Sequence, residues 1–182
     1  MRAADRTVHR WEGRRSPRFL AVVVAVAVGL GVASCASPAP ETAATAPASR
    51  DVFTAQTPAG EVVSFPADKA TVLFFFSVEC GTCGPSAAVI AEVQRDDPDA
   101  ATFVAVDVAY YESAAAIESF LTQNNATSLA YTIDTDASIL SAYGVDQLST
   151  VVVLNAAGEV VYREFEPSSA QLRDALQKAG AP

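Results

Sequence analysis

Read along its polarity, the chain changes character near residue 50. Residues 19–33 (FLAVVVAVAVGLGVA) form an unbroken apolar run, and 36–50 (ASPAPETAATAPASR) hold almost no large apolar side chain. Beyond them, short apolar runs alternate with helical spacing. Residues 52–54 and 61–65 flank a Pro58-Ala59-Gly60 turn and predict a small hairpin. Residues 71–78 (TVLFFFSV) and 102–108 (TFVAVDV) are continuous apolar runs, as expected of strands buried on both faces. Between them, 87–95 (AAVIAEVQR) has helical spacing and stops at Asp96-Asp97-Pro98.

Residues 112–123 predict a helix with Ile117, Phe120 and Leu121 on one face. A short strand over 129–133 and a short helix over 137–143, closed by Gly144, follow. Residues 150–154 and 159–163 flank Asn155-Ala156-Ala157-Gly158 and predict a second hairpin, and Ser168 is placed to cap a last helix through Lys178. Strands alternating with helices, closed by a hairpin and a helix, predict an α/β fold. Its sheet is mixed, helices flank it, and an N-terminal β-hairpin precedes it. No internal repeat is visible.

The segment before residue 51 reads differently. Residues 1–18 carry six Arg against Asp5 and Glu12, and the apolar run of 15 residues follows. A basic start, an apolar run too short for a span of about 20 residues, and a small-residue end make the signal-peptide pattern. Val32-Ala33-Ser34-Cys35 resembles the bacterial lipobox, in which the Cys is diacylated and becomes the new N-terminus. Two acyl chains make a stable anchor. The expected organisation is a lipoprotein-type signal peptide over 1–34, a lipid-anchored Ala/Pro/Thr-rich tether over 35–50, and a folded domain over 51–182. A retained signal anchor with Cys35 as an ordinary thiol is the alternative. Either way the expected location is the extracytoplasmic face of the cell membrane.

Charge narrows the partners. Of 12 basic and 21 acidic residues, 6 and 19 lie after residue 18, so the folded part carries a net charge near −13. That argues against binding nucleic acid or anionic lipid. The one His (His9), the one Trp (Trp11) and the one Met (Met1) all precede the apolar run. Once the leader is removed, serine–histidine hydrolysis, histidine–zinc catalysis and His/Met haem ligation lack their residues.

What remains is thiol chemistry. With Cys35 set aside, Cys80 and Cys83 in ECGTCGP follow a buried strand and open a helix. A helix N-terminus supplies partial positive charge that stabilises a thiolate, so the Cys80 pKa falls below about 8.5. Cys80 is expected to attack and Cys83, one helical turn in, to resolve the mixed disulfide. The competing readings are a static disulfide and half of a zinc site. The first closes a very small loop, where entropy gains are least, and the second lacks further Cys or His ligands. The strand–CxxC–helix context favours redox work, and no cofactor is called for.

TVLFFFSVECGTCGPSAAVIAEV resembles the active-site strand and helix of thioredoxin-like proteins. Phe53 and Gly60-Glu61-Val62-Val63-Ser64-Phe65 resemble the N-terminal hairpin of the TlpA/ResA group of exported thiol oxidoreductases. Ile133-Asp134, Tyr143-Gly144-Val145 and TVVVLNAAGEVVYRE continue the likeness, which covers residues 52–180. It implies a thioredoxin-like fold and a Cys80–Cys83 pair that reduces or exchanges disulfides in exported partners. Electrons would come from a membrane donor such as a CcdA/DsbD-like protein, and cytochrome c biogenesis is among the roles implied. The implied active-site loop comprises Glu79, Gly81, Thr82 and Ser149.

Three positions depart from that group. Glu79 stands where a Trp usually precedes the first Cys. Its carboxylate opposes the thiolate or accepts a proton near the pair, or is an exposed, inert side chain. Phe74 stands where many thioredoxins carry a buried acid. The base for Cys83 would then be Glu79, Asp107 or water, although Asp107 also suits a strand-end turn. Ser149 stands where the group has a cis-proline. A cis bond before Ser costs about 2.5–4 kcal/mol, so a different loop shape is expected. That leaves room for a metal ion to compete for the thiols.

The leading expectation is a membrane-anchored, extracytoplasmic thiol–disulfide oxidoreductase acting as a reductant. A non-catalytic module holding a soft metal ion or a partner protein is the second reading, although the lack of His and Met counts against a copper chaperone. A peroxidase is the third. Ser77 fits a peroxiredoxin-like spacing, but Leu73 replaces the required Pro and no Arg is near in sequence.

Overall fold

A computed structural model describes residues 51–181. The predicted leader (1–34), the tether (35–50) and Cys35 lie outside the described residues. Among the described residues, no helix is long and apolar enough to cross a membrane.

The hairpin forms first, from β1 (Phe53–Gln56) and β2 (Val62–Phe65). Gly60 turns it at φ +81°, a conformation that favours residues without a Cβ. Next come β3 (Thr71–Phe76), α1 (Cys83–Asp96), β4 (Thr102–Asp107) and α2 (Ala114–Gln123). The chain continues through β5 (Ala130–Ile133) and α3 (Ser138–Ala142). It closes with β6 (Thr150–Leu154), β7 (Val160–Phe165) and α4 (Ser169–Lys178). The seven strands lie in the order β2-β1-β5-β4-β3-β6-β7. β4 is parallel to β3 and β5, whereas β6 is antiparallel to β3 and to β7. The sheet is mixed, as its sequence pattern predicts.

β3 explains the architecture. Every one of its residues is buried, because it lies mid-sheet with packed layers on both faces. Val72, Phe74 and Phe76 point into one core with Ile90, Phe120 and Leu172, from α1, α2 and α4. Leu73 and Phe75 point into the other, with Ile139, Tyr143 and Val152. α2 buries Ile117, Phe120 and Leu121, the face its spacing predicts. Ser113 caps α2, and Ser168 caps α4 in a capping box with Gln171.

The structure corrects one expectation in this region. α1 begins at Cys83, so the second cysteine is the first helical residue and not one turn inside. Cys83-Gly84-Pro85-Ser86 is a small-residue first turn whose sequence shows no apolar period. It is helical because Pro85 tolerates an N-terminal turn, while Cys83, Gly84 and Ser86 are buried against the sheet.

Candidate active site

The cysteines sit where β3 ends and α1 begins. Two tight turns carry the chain across: the Cys80 N–H donates to the Ser77 carbonyl (3.2 Å), and the Cys83 N–H donates to the Cys80 carbonyl (3.1 Å). Cys80 and Cys83 are joined as a disulfide with Cα atoms 5.4 Å apart. Their environments differ. Cys83 is fully buried in the helix-side core, whereas Cys80 is half-buried at its edge. Gly81 and Thr82 between them are exposed, as is Glu79. Cys80 is thus the member of the pair that an incoming thiol or disulfide can reach, and Cys83 is shielded behind it.

Thr82 is the α1 N-cap residue, but its hydroxyl does not cap the helix. Its Oγ1 instead lies 3.7 Å from the Cys80 sulfur. With no side-chain cap at Thr82, the partial positive charge of the helix N-terminus is left to act on the nearby sulfur.

Ser149 immediately precedes β6 at φ +65°, fully buried. Phe65–Pro66 is the cis peptide among the described residues, so the bond before Ser149 is trans. The loop therefore has the different shape its sequence predicts. The Ser149 N–H donates to the Phe75 carbonyl (2.8 Å), and its own carbonyl accepts from the Glu166 N–H (3.0 Å). Its hydroxyl pairs with Ser86 Oγ (2.8 Å) and reaches the Thr82 carbonyl (3.5 Å). The loop is thereby tied to the residues beside Cys83. An open groove of about 460 Å³ runs alongside, bordered by Gly81, Thr82, Pro85, Ser86, Glu166 and Gln171.

The acids of the site are arranged in two ways. Glu79 faces outward and accepts from the Tyr111 hydroxyl (3.3 Å), while Tyr110 and Tyr111 stand exposed in edge-to-face contact. The Glu79 charge raises the Tyr111 pKa above its ordinary value. Asp107 faces inward and is fully buried beside Phe76 of β3. Its Oδ1 accepts from the Ala109 N–H (3.0 Å), the strand-end turn that its position suggests. Its Oδ2 meets no hydrogen-bond donor. Burial first, then the Glu112 carboxylate, push the Asp107 carboxyl up to about 7. Phe74 is buried and stacked on Phe76, so no acid occupies that position. Among the described residues, no three His, Cys, Asp or Glu gather as metal ligands.

Two site residues escape sequence reading. Glu112 reads as the start of a helix, yet it accepts the Val78 N–H with both oxygens (3.0 and 2.8 Å). Its partner is a backbone group 34 residues upstream, and no sequence signal marks such a contact. Ser86 reads as a small helical residue, and only the crossing of the Ser149 loop reveals its hydroxyl pair.

A half-buried Cys80 bonded to a buried Cys83 at a helix N-terminus, on a mixed α/β sheet, is the arrangement of a thiol–disulfide oxidoreductase of the thioredoxin-like fold. Similar solved structures include StoA from Bacillus subtilis, 25% identical with a TM-score of 0.61, covering 71% of this chain and 98% of that one. MTB DsbF is 25% identical with a TM-score of 0.59, covering 70% of this chain and 94% of its own. A secreted Mycobacterium tuberculosis disulfide oxidoreductase homologous to E. coli DsbE is also 25% identical (TM-score 0.57, covering 69% and 95%). The Redoxin family profile matches residues 41–178, and the chain belongs to that family. A protein of Streptomyces lividans, mercury resistance operon ORF3, is 41% identical over 122 residues. That match spans 65% of this chain and 65% of the relative's length.

Proposed function

We propose that the protein is a lipid-anchored, extracytoplasmic reductant of disulfides in exported proteins, recharged by a membrane electron donor of the CcdA/DsbD type. The observation that carries the exchange chemistry is the asymmetry of the pair, a half-buried Cys80 beside a fully buried Cys83 at the helix start. In the reduced protein the Cys80 thiolate attacks a partner disulfide, and one partner sulfur leaves as a thiolate. Cys83 loses its proton and attacks the Cys80 sulfur, which releases the second partner thiolate. Two electrons pass from the pair to the partner, and the pair ends as the disulfide.

The external, anchored location rests on the leader pattern and on the Val32-Ala33-Ser34-Cys35 lipobox likeness. The test is made in cells. The wild-type pool should be held mostly reduced, and Cys83→Ser should accumulate a Cys80 mixed disulfide on exported, membrane-associated protein. A fully oxidised steady-state pool would reverse the proposed direction. An unmodified Cys35 in the mature protein would remove the lipid anchor.

A second reading is favoured by the Streptomyces lividans relative, whose name places it in a mercury resistance operon. The reduced pair offers two sulfurs, a donor set suited to a soft, thiophilic cation and too small for a tetrahedral zinc site. In this reading the metal ion is cargo. Titrating the reduced protein with Hg(II) should produce a stoichiometric thiolate-to-metal ultraviolet band that Cys80→Ser abolishes. No band would dispose of it.

A further inference from the structure

The turn that carries Cys80 is held from behind by a residue of another segment. Val78, two positions before Cys80, donates its N–H to both oxygens of Glu112 at 3.0 and 2.8 Å. Glu112 in turn lies against Asp107, at the C-terminal end of β4. Asp107 is 0% exposed, and the ladder pairs it with Phe76, so it stands beside the end of the active-site strand. Its Oδ1 is occupied by the Ala109 N–H, and its Oδ2 is buried without a donor.

Two carboxylates in contact are both acceptors and repel each other. A proton between them turns that contact into a hydrogen bond, with Asp107 donating and Glu112 accepting. We infer that Glu112 and Asp107 are positioning residues for thiol exchange: Glu112 fixes the Cys80 turn through the Val78 N–H, and Asp107, buried behind it at the end of β4, holds Glu112 in place.

The surroundings supply no counter-charge that would replace this proton. From the β3–α1 turn the neighbouring ionisable groups are Glu79 and the cysteines. The segment before α2 supplies Tyr111 and Glu112. From the end of β5, Asp134 donates its backbone N–H to the Asp107 carbonyl, and its carboxylate accepts from the Ile139 and Leu140 N–H groups. No Lys or Arg shares a hydrogen bond or ion pair with any of these acids among the described residues. Burial and the Glu112 charge hold the Asp107 proton up to near neutral pH. When that proton leaves, two like charges face each other behind the turn and the grip on Val78 weakens.

The inference rests on Cys80 being the attacking thiol but not on the direction of electron flow or on any partner. The test uses the full chain, reduced, and follows two quantities against pH: the alkylation rate of Cys80 by iodoacetamide and the hydrogen-exchange protection of the Val78 amide. In the wild type both should show an inflection near neutral pH, separate from the thiol's own titration. Asp107→Asn, whose amide mimics the protonated acid, should lose that inflection and keep the low-pH protection of Val78 throughout. Glu112→Ala should lower Val78 protection about tenfold or more at every pH, and Glu112→Gln should restore part of it through its remaining oxygen.

Persistence of the neutral inflection in Asp107→Asn would overturn the inference. So would unchanged Val78 protection in a folded Glu112→Ala. Should Glu112→Ala not fold, the Asp107→Asn profile decides alone. Failure of Cys80 to alkylate at all in the wild type would instead count against the exchange chemistry itself.

Discussion

Asp107 is a fully buried acid and Ser149 a fully buried residue at positive φ, and each makes a separable prediction. The Asp107 carboxyl binds its proton more tightly in the folded protein, up to about 7, than in the unfolded chain, where about 3.9 is ordinary. The stability this proton confers is full below about pH 3.9 and is lost as pH rises through about 7. Relative to Asp107→Asn, the wild type should lose stability across that window, with a slope no steeper than about 1.4 kcal/mol per pH unit. Denaturant titrations of both proteins at several pH values check this, and parallel curves would refute it. Ser149 donates its N–H to Phe75 and sits at φ +65°. Proline provides neither the donor nor that φ, so Ser149→Pro should cost about 3 kcal/mol or more, read as a lower urea midpoint. A variant as stable as wild type would mean that the loop can readopt the shape the TlpA/ResA likeness implies.

At the scale of elements, the close approach of α1 to α2 depends on Gly84. A Cβ there would run into the Asn124 side chain, which is itself fixed by donating to the Phe120 carbonyl at 2.8 Å. Gly84→Ala should therefore destabilise by about 1–3 kcal/mol despite the helix propensity of alanine, as thermal unfolding would show. No loss would mean that Asn124 swings away. Contacts of this kind separate what the sequence reveals from what it hides. β3, β4 and β6 were readable because strands buried on both faces appear as unbroken apolar runs, and α2 because its apolar face keeps a helical period. Caps such as Ser168 were readable because they act within three residues. The start of α1 was not, since its first turn is made of small residues placed by tertiary packing. Cys80 and Cys83 announced themselves by spacing, and Asp107 by its place at a strand end. The role of Glu112 depends on a segment 34 residues away that only the fold brings near.

The described domain is acidic around its cysteine pair. Glu79 adjoins Cys80, Glu112 lies behind the turn, and Glu166 borders the groove beside Thr82. With a net charge near −13 after residue 18, the site should select against anionic partners. A model disulfide peptide rich in Lys should be reduced at least several-fold faster than its Glu-rich counterpart at low salt, with the gap closing as ionic strength rises. Stopped-flow rates at two salt concentrations test it, and equal rates for the two peptides would show that the acidic rim plays no steering role.

The measurement that bears most directly on thiol–disulfide exchange at Cys80 and Cys83 is an equilibrium titration of the pair in thiol/disulfide buffers, read by mass after quenching. A reversible two-electron couple is expected, at or below roughly −220 mV if the protein is a reductant. A couple near −120 mV would keep the exchange chemistry and make it an oxidant. A pair that never equilibrates with the buffer would rule out thiol–disulfide exchange at Cys80 and Cys83.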